Sequence, residues 1–149
     1  MIVLDASVII DSLLPMIGDR YKKASELLET ISKSRIAVHA PIILKIELAS
    51  ILSRKKEANI VRGFVEELIS EIELISGGKL IDTAYNLAFV VKGRAVDLYY
   101  ITTSKLTGSI LITNDKIMAK NAKNGKVEAY YLIEEFEKVL KRIEGIAGD

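Results

Sequence analysis

The chain alternates short apolar stretches with longer segments of helical periodicity, and this alternation restricts the folds it can adopt. Apolar residues at helical spacing predict helices, and Pro41 suits the first turn of the helix predicted over 42–54. Such alternation predicts a three-layer α/β/α fold with a mostly parallel central sheet of about five strands. The predicted strands cover 2–4, 36–39, 72–75, 110–112 and 127–132, and the predicted helices 21–32, 42–54, 59–70, 80–91, 95–106, 115–122 and 134–143.

Composition excludes several kinds of site. The 149 residues suit one domain over 1–149, and a core of that size needs no metal or disulfide to hold it. Because there is no Cys and a single His, a disulfide framework, a thiolate zinc site and a cysteine nucleophile are excluded. The apolar segment 1–14 contains Asp5 and Asp11 and has no basic residue before it, so it resembles neither a signal peptide nor a membrane span. We expect a cytoplasmic protein without a membrane partner.

Two aspartates follow predicted strands. Asp5 comes after the first strand, and Asp115 follows the fourth through Thr113 and Asn114. In parallel sheets ligands bind beyond the carboxyl ends of the strands, so we expect both carboxylates at one edge. An ordinary role is available for each, because Asp often caps a helix N-terminus, and Thr113 or Asn114 could cap the helix that follows.

Two further carboxylates lie in predicted helices. Glu47 interrupts an apolar helix and lies roughly 200° around it from Lys45, so a single solvent-facing stripe does not easily hold both. Asp97 lies near the start of a helix, where the helix dipole alone favours an acid. Taken singly, Glu47 could be a surface residue and Asp97 a first-turn acid.

The four acids together predict more than each does alone. Clustered carboxylates stay ionised together only beside a cation, and burying an unpaired carboxylate costs free energy. Oxygen ligands without Cys favour Mg²⁺ or Mn²⁺, ions that support phosphodiester cleavage without a histidine base. The lone histidine, His39, falls in a predicted buried strand and is expected to be a core residue.

The pattern resembles the PIN-domain family, and in size the chain resembles a VapC-type toxin. The resemblance rests on Asp5-Ala-Ser7 after an apolar start, Glu47 in an apolar helix, Asp97 after Gly93-Arg94, and Thr-Asn-Asp115 after an apolar strand. It implies a Mg²⁺- or Mn²⁺-dependent endoribonuclease acting on RNA, with transfer or ribosomal RNA as candidate substrates. It further implies a homodimer inhibited by a cognate antitoxin protein.

By the same resemblance, individual residues receive roles. Asp5, Glu47, Asp97 and Asp115 would hold the metal and carry catalysis. Ser7, Thr113 and Asn114 would support them through hydrogen bonds. The segment 92–126 holds seven basic residues and only the two acids Asp97 and Asp115. Its Arg94, Lys116 and Lys120 are therefore candidates for contacts with RNA phosphates.

Other protein classes fit the sequence less well or stay open. A haloacid-dehalogenase-like phosphatase would need a second Asp where Ser7 stands, and the sequence has neither a GxxxxGK[ST] nor a GxGxxG loop. A PIN-like scaffold that binds RNA or protein without cleavage stays open, as does an RNA-processing PIN nuclease without an antitoxin. Tyr99 and Tyr100 depart from the small residues common in the family, and we expect them to pack in the core or an interface rather than to stack on bases.

Overall fold

The computed structural model describes residues 1–149 and contains one five-stranded sheet. All neighbouring strands pair in parallel, in the order β3-β2-β1-β4-β5. The predicted α/β fold class and strand count are therefore confirmed, and the sheet is entirely parallel. The strands are β1 Ile2–Leu4, β2 Val38–Pro41, β3 Glu73–Ile75, β4 Ile110–Thr113 and β5 Ala129–Tyr131.

Eight α-helices connect and cover the strands. Seven of them lie where helical periodicity predicts, with ends that differ by a few residues. The eighth, α1, is a six-residue helix directly after β1 that the sequence pattern did not separate from its flanking segments. The helices are α1 Ala6–Asp11, α2 Asp19–Ser34, α3 Ile43–Leu52, α4 Ala58–Ser70, α5 Gly77–Val91, α6 Ala95–Thr107, α7 Lys116–Asn124 and α8 Leu132–Gly148, with a 3₁₀ turn at Pro15–Ile17.

The helices form two layers around the sheet. Helices α1 to α4 and α8 pack against one another, as do α5, α6 and α7. Strand order runs outward from β1 in one direction through β2 and β3 and in the other through β4 and β5. Parallel connections of this kind are almost always right-handed, which requires the two directions to use opposite faces of the sheet. The sheet therefore has its switch point between β1 and β4.

Burial follows from this arrangement. Strands β1 and β4 are buried along their whole length, as expected for central strands covered on both faces. In α3 the residues Leu44, Leu48 and Leu52 are buried, which is one helical face of period about four. None of the helices has the length and apolar character needed to span a membrane.

His39 and Pro41 lie in β2, and one of them differs from its expected structural role. His39 is buried in β2, as predicted, between the hydroxyl of Ser109 and the carboxylate of Glu73, each 3.1 Å from a ring nitrogen. The assignment of Pro41 to a helix first turn is wrong, because Pro41 is the last residue of β2 and pairs with Ile75. Proline has no backbone N–H, and at the end of a strand the sheet does not need a hydrogen bond from that group.

Candidate active site

The site is built at the carboxyl ends of β1 and β4. These strands are paired in register, Leu4 beside Ile112, so the residues that follow them are adjacent. The backbone N–H of Asp5 still donates to the carbonyl of Ile112, at 3.2 Å. The structure thus brings Asp5 and Asp115 to the same edge of the sheet, at the switch point where ligands of open parallel sheets bind.

Asp5 is buried, with 4% of its surface exposed, and two hydroxyls hold it. Ser7 Oγ donates to Asp5 Oδ2 at 2.6 Å, and Thr113 Oγ1 donates to the same oxygen at 2.7 Å. Asp5 occupies the N-cap position of α1, but its side chain makes no capping bond. Burial raises the pKa of Asp5 in spite of these donors, and the charge of Asp115 adds to that effect. Its carboxylate is therefore not explained by helix capping.

Glu47 reaches the same place from the middle of α3. Its Oε1 accepts a hydrogen bond of 2.6 Å from the phenol of Tyr100 in α6. Burial raises the pKa of Glu47, and the negative charges of Asp5 and Asp97 raise it further. Glu47 is therefore not simply a surface glutamate supported by basic neighbours, because the charges of two other acids act on its carboxylate.

Asp97 and Asp115 share a single cation. Arg94 donates two hydrogen bonds to Asp97, from Nε to Oδ2 at 3.1 Å and from Nη2 to Oδ1 at 3.0 Å. The same Nη2 lies 2.7 Å from Oδ2 of Asp115. Asp97 is almost fully buried at 1% exposure, whereas the Arg94 side chain is 71% exposed. The hydrogen bonds to Asp97 are the main reason that the pKa of Arg94 is raised.

Asp115 also caps a helix. Its Oδ1 accepts from the backbone N–H groups of Ile117 and Met118 at 2.9 and 3.0 Å, which places it at the N-cap of α7. The capping role expected of Thr113 or Asn114 thus falls to Asp115 itself. Because capping uses only Oδ1, the other oxygen is free to face Arg94.

The four carboxylates line one cavity of about 350 Å³, together with Ser7 and Arg94. Their side chains do not stand in an arrangement that could hold a metal ion. The donor set nevertheless fits a hard divalent cation, because it consists of carboxylate oxygens and two of the four have their pKa raised by burial and by neighbouring acids. Binding would require Asp97 and Asp115 to exchange Arg94 for the ion.

The three supporting residues differ in what they touch. Ser7 and Thr113 hydrogen-bond Asp5, and the Thr113 hydroxyl also accepts from the backbone N–H of Asp115 at 2.9 Å. Asn114 donates its backbone N–H to Ser7 at 3.0 Å, but its side-chain amide turns to Asp11, at 2.6 Å. Asn114 therefore stabilises the loop and contacts none of the four acids through its side chain.

The basic residues expected near the site are in different states. Arg94 is bound to the site carboxylates themselves. Lys116 pairs with Glu134 at 2.7 Å, and Lys120 is exposed on α7. Of the three, Lys120 forms no ion pair with an acid of the chain.

Sequence reasoning did not connect Tyr100 with the site. The expectation that it packs in the core is correct for its ring, which is fully buried, but its hydroxyl contacts Glu47. A helical spacing of three from Asp97 places both side chains on one face of α6, and this spacing was the available signal.

A fully parallel sheet whose switch point gathers four carboxylates defines an α/β protein with an acidic site beyond the central strands. The model of the PIN domain family matches residues 2–124. The chain belongs to the PIN domain family, which confirms the resemblance drawn from the sequence. No curated protein matches the chain.

Solved structures share the fold. The FitAB complex bound to an IR36 DNA fragment is similar with a TM-score of 0.67 and 19% identity, covering 87% of this chain and 94% of that one. VapBC2 from Rickettsia felis, bound to a DNA fragment from its promoter, has a TM-score of 0.64 and 19% identity, and the match covers 87% of this chain and 98% of that one. PAE2754 from Pyrobaculum aerophilum has a TM-score of 0.60 and 15% identity, and the match covers 97% of this chain and 96% of that one. These likenesses support the fold of the chain.

Proposed function

We propose that this protein is a metal-dependent endoribonuclease of VapC type, the toxin of a toxin–antitoxin pair. The observation that carries the proposal is the gathering of Asp5, Glu47, Asp97 and Asp115 around one cavity at the switch point of a PIN-domain sheet. Asp97 and Asp115 have explanations as local structural residues, but no local explanation accounts for all four acids facing one space. Mutually repelling carboxylates are a feature of sites that bind cations.

The cation in this proposal is Mg²⁺ or Mn²⁺, and the four carboxylates would hold it. When bound, such an ion stabilises the attacking and leaving oxygens of a phosphodiester and activates water as the nucleophile. The chain's own residues do the positioning. Ser7 and Thr113 fix one oxygen of Asp5, and the backbone N–H of Asn114 fixes Ser7 in turn.

The proposed substrate is RNA, with transfer or ribosomal RNA as the first candidates. Exposed basic side chains on α7, the helix that Asp115 caps, favour a polyanion, because each neutralised phosphate contributes to affinity. Lys120 carries its charge unpaired, so we assign it the most direct phosphate contact. Lys116 and Arg94 would first have to leave Glu134 and the site acids.

The proposed partners are a cognate antitoxin and a second copy of the chain. FitAB and VapBC2 are two-component complexes by their names, which supports an antitoxin for a protein of the same fold. The homodimer is supported by helix α5, which exposes Ile81, Tyr85 and Phe89 at spacings of four along one face. We also keep the predictions that residues 1–149 form one domain, supported by a continuous apolar core, and that the protein is cytoplasmic.

Cleavage of total RNA tests the activity. We expect the wild-type protein with Mn²⁺ to cut at defined positions, a chelator to stop the cutting, and Asp97→Asn to abolish it. Asp82→Asn is the matched control, because it makes the same substitution at an exposed position of α5. If the wild type cuts no RNA and the chelator changes nothing, the nuclease assignment is wrong and the non-cleaving scaffold takes its place.

Co-expression with a small protein encoded next to this chain tests the toxin role. We expect the two to purify together and the complex to cut RNA more slowly than the free chain. Active enzyme that no neighbouring protein binds or inhibits would instead identify an RNA-processing nuclease without an antitoxin.

A further inference from the structure

Helix α6 supplies two polar groups to the site, and the proposed function uses only one of them. Asp97 lies in its first turn, and Tyr100 lies one turn later on the same face. Tyr100 is fully buried in the apolar core, yet its hydroxyl donates to Glu47, which lines the acidic cavity. A phenylalanine would fill the same core volume, so packing does not account for the hydroxyl.

The hydroxyl acts on a carboxylate that has no other partner. Tyr100 is the one hydrogen-bond donor that reaches Glu47, and no lysine or arginine pairs with it. The phenol is the donor in this contact, because an ionised carboxylate can only accept a hydrogen bond. The bond engages Oε1 and leaves Oε2 without a partner.

The same arrangement occurs at Asp5. There the two hydroxyls of Ser7 and Thr113 both engage Oδ2, and no side chain donates a hydrogen bond to Oδ1. In each case a neutral hydroxyl fixes the carboxylate through one oxygen without cancelling its charge. A neutral donor orients an acid and leaves its charge available to a cation, which a lysine or arginine in the same place would not do.

We propose that Tyr100 is a positioning residue that holds Glu47 in place for the divalent cation. This inference rests on the proposed function, since it assumes that Glu47 is one of the acids that hold the ion. Glu47 stands on a helix of the opposite layer, and a long flexible side chain there has several rotamers of similar energy. The bond to Tyr100 selects one of them before the ion arrives, which lowers the entropy lost on binding.

Direct measurement of Mn²⁺ binding by titration calorimetry tests the proposal without relying on cleavage. We expect Tyr100→Phe to bind Mn²⁺ roughly 10-fold more weakly than the wild type, the size of effect that loss of a ligand's hydrogen-bond partner commonly has. Tyr99→Phe is the matched control, since it removes a hydroxyl from the adjacent residue of the same helix. Cooperative thermal unfolding of both variants establishes that each is folded.

A double-substitution cycle with Glu47→Ala separates positioning from general damage. If Tyr100 acts through Glu47, then adding Tyr100→Phe to Glu47→Ala leaves the Mn²⁺ affinity unchanged. Equal Mn²⁺ binding by wild type and Tyr100→Phe overturns the proposal, as does an undiminished effect in the Glu47→Ala background.

The outcomes also separate this inference from the proposed function. Mn²⁺ binding that depends on Tyr100, in a protein that cuts no RNA, supports the positioning role and removes the nuclease. Mn²⁺-dependent cleavage with equal binding by wild type and Tyr100→Phe does the reverse.

Discussion

The two pairs of acids in the site are held in opposite ways. Asp5 and Glu47 receive hydrogen bonds from neutral hydroxyls, whereas Asp97 and Asp115 share the guanidinium of Arg94. Burial raises the pKa of Asp5 and of Glu47, and in both cases a neighbouring acid contributes. Asp5 and Glu47 are therefore destabilised by burial and by repulsion from neighbouring acids, whereas Asp97 and Asp115 have a counter-ion within the chain.

The two pairs of acids differ in how much they gain from an added cation. A divalent ion beside Asp5 and Glu47 relieves repulsion that the folded chain otherwise contains. Beside Asp97 and Asp115 the same ion must compete with Arg94. We infer that the hydroxyl-held pair supplies the driving force for metal binding and that Arg94 opposes it.

The largest expected effect comes from removing the charge in the hydroxyl-held pair. Asp5→Asn keeps the shape and can still accept hydrogen bonds from Ser7 and Thr113, but it removes a negative charge from the cavity. We expect RNA cleavage to fall by at least ~100-fold and Mn²⁺ binding to weaken in parallel. Cleavage assays and calorimetry on the same preparation measure both. Near-normal Mn²⁺ affinity in Asp5→Asn would show that this pair does not drive binding.

Much of the fold was predictable because it depends on local patterns. Central strands buried on both faces appear as uninterrupted apolar runs, as 110–112 does in β4. The short helix α1 was not predicted because six residues, apolar throughout 8–10, do not complete two turns of a recognisable period. Pro41 was assigned to the wrong element because proline suits both a helix start and a strand end.

The site was predictable only where it depends on strand ends. The sequence places Asp5 and Asp115 after strands, and the parallel topology then puts them together. The contact between Glu47 and Tyr100 joins helices from opposite layers, 53 positions apart, and no periodicity encodes it. Arg94 and Asp97 are neighbours at a spacing of three, but the bond from Arg94 to Asp115 spans 21 positions and depends on the tertiary fold.

An intermediate effect is expected from Arg94→Gln, which removes the counter-ion that Asp97 and Asp115 share. Without metal, the variant loses a counter-ion for the buried Asp97, and we expect unfolding to become easier by about 1 kcal/mol, a small value because the Arg94 side chain is largely exposed and screened. If Arg94 opposes the ion, Mn²⁺ affinity rises by about fivefold, the equivalent of the same free energy.

Lys92→Gln is the control for Arg94→Gln, since it removes one positive charge from an exposed position two residues before Arg94. Chemical denaturation without metal and calorimetry with Mn²⁺ provide the two values. Weaker Mn²⁺ binding by Arg94→Gln than by Lys92→Gln would mean that Arg94 organises the acids for the ion instead of competing with it.

The smallest expected effect is on the pH dependence of stability without metal. Because the folded-state pKa of Asp5 is raised above its ordinary value of 3.8, the native state binds this proton more tightly than the unfolded chain does. The contribution of Asp5 to the free energy of unfolding is therefore greatest at low pH and declines as pH rises from about 4 through the raised pKa. Asp5→Asn has no such group, so the difference in stability between it and the wild type should shift in favour of the variant over that range. Urea denaturation at a series of pH values, with a chelator present, measures the difference, and Asp82→Asn is the control for the substitution itself. A difference that moves in favour of the wild type as pH rises would mean that Ser7 and Thr113 stabilise the Asp5 carboxylate more than burial destabilises it, and the contrast between the two pairs of acids would then lose its electrostatic basis.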